Sequence, residues 1–336
     1  MSTQPALMRQ AFLLGPRQLE LREVPVPEPG PGEVVLRVEA ALTCGTDLKT
    51  YRRGHHPKIP VPGPFGHEYT GRIARVGPGV QGFREGDAVM GANTGPCYTC
   101  TYCQRGLFQH CESLFDDMVV GTYAEYVRIP ARVVRTNLFL RPPDLPETVA
   151  PLIEPLASAL HGLRVLRPWH ERVLVVGTGP LGILLAFALE QEDNEVTLVG
   201  RNPRRNEVAR RIGLRRVLDQ VPEDEAFDAV VEATGNPEVW EQSPRWVRKG
   251  GRVLLFGGLP ADQRVVFAAY ALHYEEKHLL GAFHFTPQEV KAAYELLVTH
   301  GARLQPLITG EFPLSQIAEA FRRLDRGEGL KYAIRP

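Results

Sequence analysis

Over roughly the first 140 residues the apolar positions fall in short runs broken by glycine and proline. Glu33 to Val38, Thr70 to Val76, Asp87 to Met90 and Gly121 to Ile129 are runs of this kind, and each predicts a strand. Strands of this length with such punctuation predict an irregular β-barrel. From about Glu154 the pattern changes. Arg172 to Gly177, Glu195 to Val199, Ala229 to Glu232 and Arg252 to Phe256 are almost continuously apolar, as strands covered on both faces must be. Helical stretches separate them, over Leu181 to Gln191, Arg204 to Ile212 and Val239 to Val247. This alternation predicts a doubly wound parallel sheet, so the fold class is α/β plus β. A further helix over Pro287 to Thr299 opens on Thr286, Pro287 and Glu289, a cap, a first-turn proline and an early acid. The tail, with Ile308, Phe312 and a helix from Leu314 to Leu324, is expected to rejoin the first domain.

Composition narrows the partners. A chain of 336 residues suits two domains with a core each, and 39 basic residues balance 39 acidic ones. That balance gives no electrostatic reason to expect nucleic acid or an anionic membrane. The first ten residues, MSTQPALMRQ, hold no apolar core of signal-peptide length. The longest apolar run, Val173 to Leu189, is interrupted by Gly177 to Pro180 and followed by Glu190, Glu192 and Asp193, which favours a buried strand and helix over a membrane span. A cytoplasmic enzyme acting on a small molecule is the resulting expectation, and in that compartment thiols stay reduced and available to metals.

The segment Arg172 to Gly182 reads as a strand, a turn Gly177-Thr178-Gly179-Pro180-Leu181-Gly182, and a helix. Its glycines permit a tight turn and let the backbone approach a pyrophosphate on the positive end of the helix. A second strand follows on schedule, and the whole predicts dinucleotide binding. Where an NAD site offers Asp or Glu to the ribose, this chain runs Val199-Gly200-Arg201-Asn202-Pro203-Arg204-Arg205. The missing carboxylate removes repulsion toward a 2′-phosphate that Arg201 can pair with, so NADP is expected, with NAD as the alternative. The same arginines also suit a solvated helix start.

Four of the five cysteines lie within fifteen residues, as Cys97, Cys100, Cys103 and Cys111. Two overlapping C-x2-C spacings bring thiolates within reach of one ion, and a closed four-sulfur shell is the usual structural zinc site. Cys44, in Cys44-Gly45-Thr46-Asp47, stands apart, as does Gly66-His67-Glu68. Taken singly, Cys44 suits a small core residue and His67 a satisfied interior histidine. Glu154 is a carboxylate in an apolar stretch, and a buried charge needs a partner or a metal. Cys44, His67 and one or both of Glu68 and Glu154 would form a mixed zinc site with an open position, the catalytic arrangement.

These residues together resemble the medium-chain zinc-dependent alcohol dehydrogenase superfamily, closest in look to its polyol and threonine dehydrogenase branch. The resemblance runs through Pro31-Gly32-Glu33-Val34, Cys44 to Asp47, Gly66 to Glu68, Gly86 to Val89, the four cysteines, Gly121 to Tyr126, Glu154-Pro155-Leu156 and Gly177 to Gly182. It implies a GroES-like catalytic domain formed by both chain ends (1–153 and 286–336) around a Rossmann domain (154–285), with the active site in the cleft between them. It also implies a homodimer or homotetramer joined through the Rossmann domains. Cys44 and His67 become paired ligands of a catalytic zinc, Glu68 a ligand or near-ligand, Glu154 the third protein ligand or its alternate, and Thr46 the hydroxyl that passes the substrate proton outward. Asp47 is implied to be structural. Ala233, Thr234, Gly257, Gly258 and Leu259 match strand ends that line the cofactor. The chain departs from the pattern at Lys49, where many relatives carry histidine. His55 and His56 are candidate replacements, with a solvated loop as the plain reading. It departs again at Tyr98, where relatives commonly carry glycine and where a local loop change is expected.

The resemblance thus implies two zinc ions per chain and hydride transfer between a nicotinamide and an alcohol or carbonyl: a secondary alcohol, polyol or sugar. Tyr51, Phe115, Met118, His284 and Phe285 are candidates for the substrate pocket, or simply core aromatics. Two rival readings are weighed against it. A zinc-free enone or quinone reductase would be separated by metal analysis and chelator sensitivity. A non-enzymatic NADPH-binding protein with structural zinc would be separated by a hydride-transfer screen.

Overall fold

The computed structural model describes residues 6–336 and divides into two compact units, one running to Glu154 and resuming over Thr286–Pro336, the other Pro155–Phe285. In the first, β1 (Leu7–Gly15) and β2 (Gln18–Pro25) form an antiparallel hairpin, and β4 (Gly63–Pro64) pairs with β1 on its other side. A longer sheet is built on β3 (Val34–Leu42) and runs on through β5 (Glu68–Val76), β6 (Ala88–Gly91) and β8 (Leu138–Leu140) in that order, with β7 (Tyr126–Ile129) also pairing with β3. The hairpin lay outside the predicted strands, although Gly15-Pro16 between two alternating stretches is a turn signal.

The run from Gly121 to Ile129 is a strand only from Tyr126. Its first half braces a loop instead: Gly121 N donates to Gly66 O at 2.9 Å, and Tyr123 OH donates to Asp47 Oδ2 at 2.7 Å. The first, with Tyr123 N donating to Phe65 O at 3.1 Å, takes the place of ladder bonds and fixes the backbone beside His67.

In the second unit, β9 (Arg172–Val176), β10 (Glu195–Val199), β11 (Val217–Leu218), β12 (Phe227–Glu232), β13 (Val247–Leu255) and β14 (His278–Gly281) pair in parallel in the order β11-β10-β9-β12-β13-β14. Val173, Leu174, Val230, Val231, Val253 and Leu254 are fully buried, which is why the alternation of a half-exposed strand is missing from their sequences. Helices Pro180–Gln191, Pro203–Ile212 and Pro237–Trp246 each start on proline, after Gly179, Asn202 and Asn236. The strand order reverses between β9 and β12, the position where sheets of this kind leave a crevice outside their carboxyl ends.

The chain then returns to the first unit. Helix Pro287–His300 carries a full capping box between Thr286 and Glu289. β15 (Ile308–Pro313) and β16 (Lys331–Arg335) pair in parallel, and β16 joins β3. Between them, helix Ile317–Asp325 buries Ile317, Ala320, Phe321 and Leu324 on one face. The Phe321 ring lies 5.3 Å from Tyr51, 5.4 Å from Phe65 and 5.8 Å from Tyr123. The last fifty residues therefore complete a core begun by the first hundred. Among the described residues, no helix is long and apolar enough to cross a membrane.

Candidate active site

Cys44 caps helix Gly45–Arg53, its sulfur accepting from Thr46 N at 3.4 Å. This short helix ends at Gly54, in the left-handed conformation. Its start presents both the thiol and the Thr46 hydroxyl. His67 precedes β5 and Glu68 begins it, in the loop braced by Gly121. Ligand atoms of Cys44, His67 and Glu68 all lie within 4.8 Å of one another.

Two of the three have a buried partner. His67 Nδ1 is 2.9 Å from Asp47 Oδ1, which leaves Nε2 as the free ligand atom. Burial disfavours charge on His67, but Asp47 and Cys44 outweigh it and hold the imidazole well above its ordinary pKa. Glu68 is fully buried and both its oxygens accept from Lys331 Nζ at 2.6 Å. Lys331, itself 1% exposed, also donates to Thr43 O at 3.0 Å. Glu154 is buried but stands outside the tight group. Burial, reinforced by the charge of Glu68, pushes its carboxyl up to about 7.

Lys331 was not among the residues singled out in the sequence. Its signal is a lone lysine in the otherwise apolar run Leu330-Lys331-Tyr332-Ala333-Ile334, at the start of β16. Tyr51 is 3% exposed in the aromatic cluster, so it is a core residue rather than a pocket wall. Phe285 is also buried, and Phe115 packs against the four-cysteine cluster. Lys49 and His55 are exposed. His56 departs from the plain solvated-loop reading: it is half-buried, and its Nδ1 accepts from Lys58 N and Ile59 N, both at 3.1 Å. Those bonds place its proton on Nε2.

Cys97, Cys100, Cys103 and Cys111 bring their sulfurs within 4.8 Å of one another, and all five cysteines are free of disulfides. Cys97 and Cys103 sulfurs are 3.9 Å apart, near the ~3.8 Å edge of a tetrahedron with Zn–S bonds of about 2.3 Å. Hydrogen bonds from the Thr99 hydroxyl and from backbone N–H groups bring the Cys97 thiol down to about 5, while burial pushes Cys103 up to about 12. The donor set fits a closed zinc shell. Tyr98 sits at φ +63°, a conformation that favours glycine, with its ring 5.2 Å from Phe108 and Arg135 over its face.

In the second unit Gly177 has φ +123° at the end of β9, and a Cβ on Gly182 would run into Gly177 O. Both positions need glycine for the turn to form. Gly179 opens helix Pro180–Gln191, and the space where its side chain would stand is empty, as an anion site on a helix end requires. Beyond β10, Gly200 packs on Thr178, Arg201 is exposed, and Arg205 is half-buried with an unpartnered Nε. Asn202, not a carboxylate, caps the next helix.

Known proteins place this arrangement in a class. Residues 30–137 match the alcohol dehydrogenase GroES-like domain, and residues 153–334 match the glucose dehydrogenase C-terminus. The chain belongs to the medium-chain zinc-dependent alcohol dehydrogenase superfamily, and it is an oxidoreductase of that type. An L-threonine 3-dehydrogenase of Anaeromyxobacter dehalogenans is 30% identical over 328 residues, 93% of each chain. A zinc-binding dehydrogenase of Sinorhizobium meliloti, solved bound to NADP, superposes with a TM-score of 0.90 at 25% identity over 98% of this chain and 100% of that one. An alcohol dehydrogenase of Thermus sp. ATN1 does so with a TM-score of 0.84 at 27% identity, over 98% and 99%.

Proposed function

We propose that the chain is an NADP-dependent zinc dehydrogenase acting on a secondary alcohol, polyol or sugar and its carbonyl partner. The observation that carries this reading is the mixed sulfur, nitrogen and carboxylate group of Cys44, His67 and Glu68, with His67 held by buried Asp47, Glu68 by buried Lys331, and the Cys44 sulfur by the start of its helix. Cys44 and His67 would hold the zinc, with Glu68 or Glu154 as exchangeable carboxylates. Bound zinc supplies Lewis acidity toward the substrate oxygen, and the nicotinamide supplies the hydride carrier. Asp47 orients His67 and supports its basicity as a ligand. Lys331 balances the charge of Glu68 and would compete with a zinc ion for its oxygens. Thr46, at the open end of its helix, moves the substrate proton outward. The relatives named L-threonine 3-dehydrogenase support a secondary alcohol, since the hydroxyl on carbon 3 of threonine is one.

NADP is favoured because no acid directly follows β10, Arg201 is exposed there, and Arg205 keeps an unpartnered Nε. The NADP-bound relative supports the same choice. The test compares kcat/KM with NADP and NAD before and after Arg201→Ala. The parent should prefer NADP, and the variant should lose roughly tenfold or more of that preference. Equal use of both cofactors by the parent overturns it. Assembly follows the edge strand β14, whose neighbours Val266, Tyr270, Tyr274 and Phe283 are exposed. Such an apolar edge suits a second copy, giving a homodimer or a homotetramer built on it, with sedimentation as the check.

A further inference from the structure

Glu232, the last residue of β12, is a fully buried carboxylate that none of the chemistry above uses. Among the described residues no cationic side chain pairs with it. Its Oε1 accepts from Thr234 N at 2.7 Å, from Gly235 N at 3.1 Å and from the Thr234 hydroxyl. Burial pushes its carboxyl up, and those donors oppose the rise. An unpaired buried carboxylate is costly, so a strand end that keeps one has a use for its acceptor geometry.

That geometry joins three turns at the point where the strand order reverses. On one side, a Cβ on Gly177 would lie 3.0 Å from the Ala233 carbonyl carbon, so the 233–235 turn lies directly against the glycine turn. On the other, a Cβ on Gly257 would run into Gly235 N and come within 2.6 Å of Glu232 Oε2. Gly257 N donates to Glu232 O at 2.9 Å, and Trp240 Nε1 donates to Gly257 O at 2.9 Å. The 233–235 turn is thus wedged between the other two and fastened by one side chain.

We propose that Glu232 is a positioning residue for the dinucleotide, its carboxylate setting the spacing of the turns that follow β9, β12 and β13 and thereby the shape of the cofactor crevice. The inference rests on the cofactor reading above. Glutamine at this position keeps the size and an accepting Oε1 but puts an N–H donor where Oε2 accepts from Gly235 N at 3.3 Å, and alanine at 257 pushes the same turn without altering charge.

The experiment titrates NADPH and NADH by fluorescence into the parent, Glu232→Gln and Gly257→Ala holoenzymes, with steady-state kinetics alongside. Both variants should raise the dissociation constant for the preferred cofactor roughly tenfold and its KM in step, and for Glu232→Gln kcat at saturating cofactor should stay within about threefold of the parent. A purely structural role would lower the melting temperature and leave the dissociation constant within about twofold, which overturns the inference. Should Gly257→Ala fail to fold, Glu232→Asp, which keeps the charge but shortens the reach, reads the same quantity. A parent that binds neither cofactor overturns the cofactor reading and this inference with it. A parent that binds while the variants bind equally well overturns the inference alone.

Discussion

The four-cysteine lobe and the Cys44–His67–Glu68 centre both gather sulfur within reach of one ion, yet they are built in opposite ways. The lobe's donors are all thiols from one short segment, two of them half-exposed, and its supporting hydrogen bonds come from its own backbone and from Thr99. The other centre draws on residues from both ends of the chain and surrounds its donors with buried charge, Asp47 against His67 and Lys331 against Glu68. A closed shell of four equivalent ligands asks little of its surroundings, because the metal satisfies all of them. Donors gathered from separate segments must be oriented from outside, and for His67 and Glu68 tertiary contacts do this.

The contrast can be broken most directly by removing one ligand from each centre. Cys44→Ser or His67→Ala should cut turnover by on the order of a thousandfold or more while NADPH binding persists, whereas Cys100→Ser should lower the melting temperature by several degrees and leave kcat of the folded fraction within about threefold. Near-normal turnover after either of the first two changes would remove the catalytic role of that centre. Metal analysis of each variant should show one zinc lost and one retained.

Lys331→Met sharpens the comparison, since it leaves Glu68 buried beside the site without its partner. Breaking a buried ion pair costs about 3–5 kcal/mol, to be read by denaturant unfolding. Adding Glu68→Gln should restore part of that loss, because the uncompensated charge is gone. If the single variant unfolds at the parent's midpoint, the pair is not holding the centre together.

The smallest effect is expected at Tyr98. Glycine there relieves the positive φ but gives up the contacts with Phe108 and Arg135, so the two terms should nearly cancel, to within about 1 kcal/mol. A loss several times larger would mean that the aromatic packing, and not the metal shell alone, fixes this lobe.

Features carried by neighbouring residues were legible in the chain itself. The glycine turn after β9, the parallel sheet and the C-x2-C spacings depend on local geometry, and each appears where it was expected. The composition of the run from Gly121 suits a strand, but the backbone N–H groups of Gly121, Thr122 and Tyr123 go to Gly66 and Phe65, in the loop before β5. Tyr51 reads equally well as pocket or core until Phe321, 270 positions later, is seen against its ring.

The residue types and spacings by themselves determined that the chain can bind a dinucleotide and gather metal ligands, since both abilities reside in short segments whose backbone shape follows from glycine, proline and cysteine placement. Only the tertiary structure decided that Lys331 neutralises Glu68 across 263 positions, that Asp47 fixes the free nitrogen of His67, and that the turn Glu232 fastens lies against the turns after β9 and β13. Pairings of buried charge leave no periodic trace in a sequence, because their partners are chosen by the packing of distant strands.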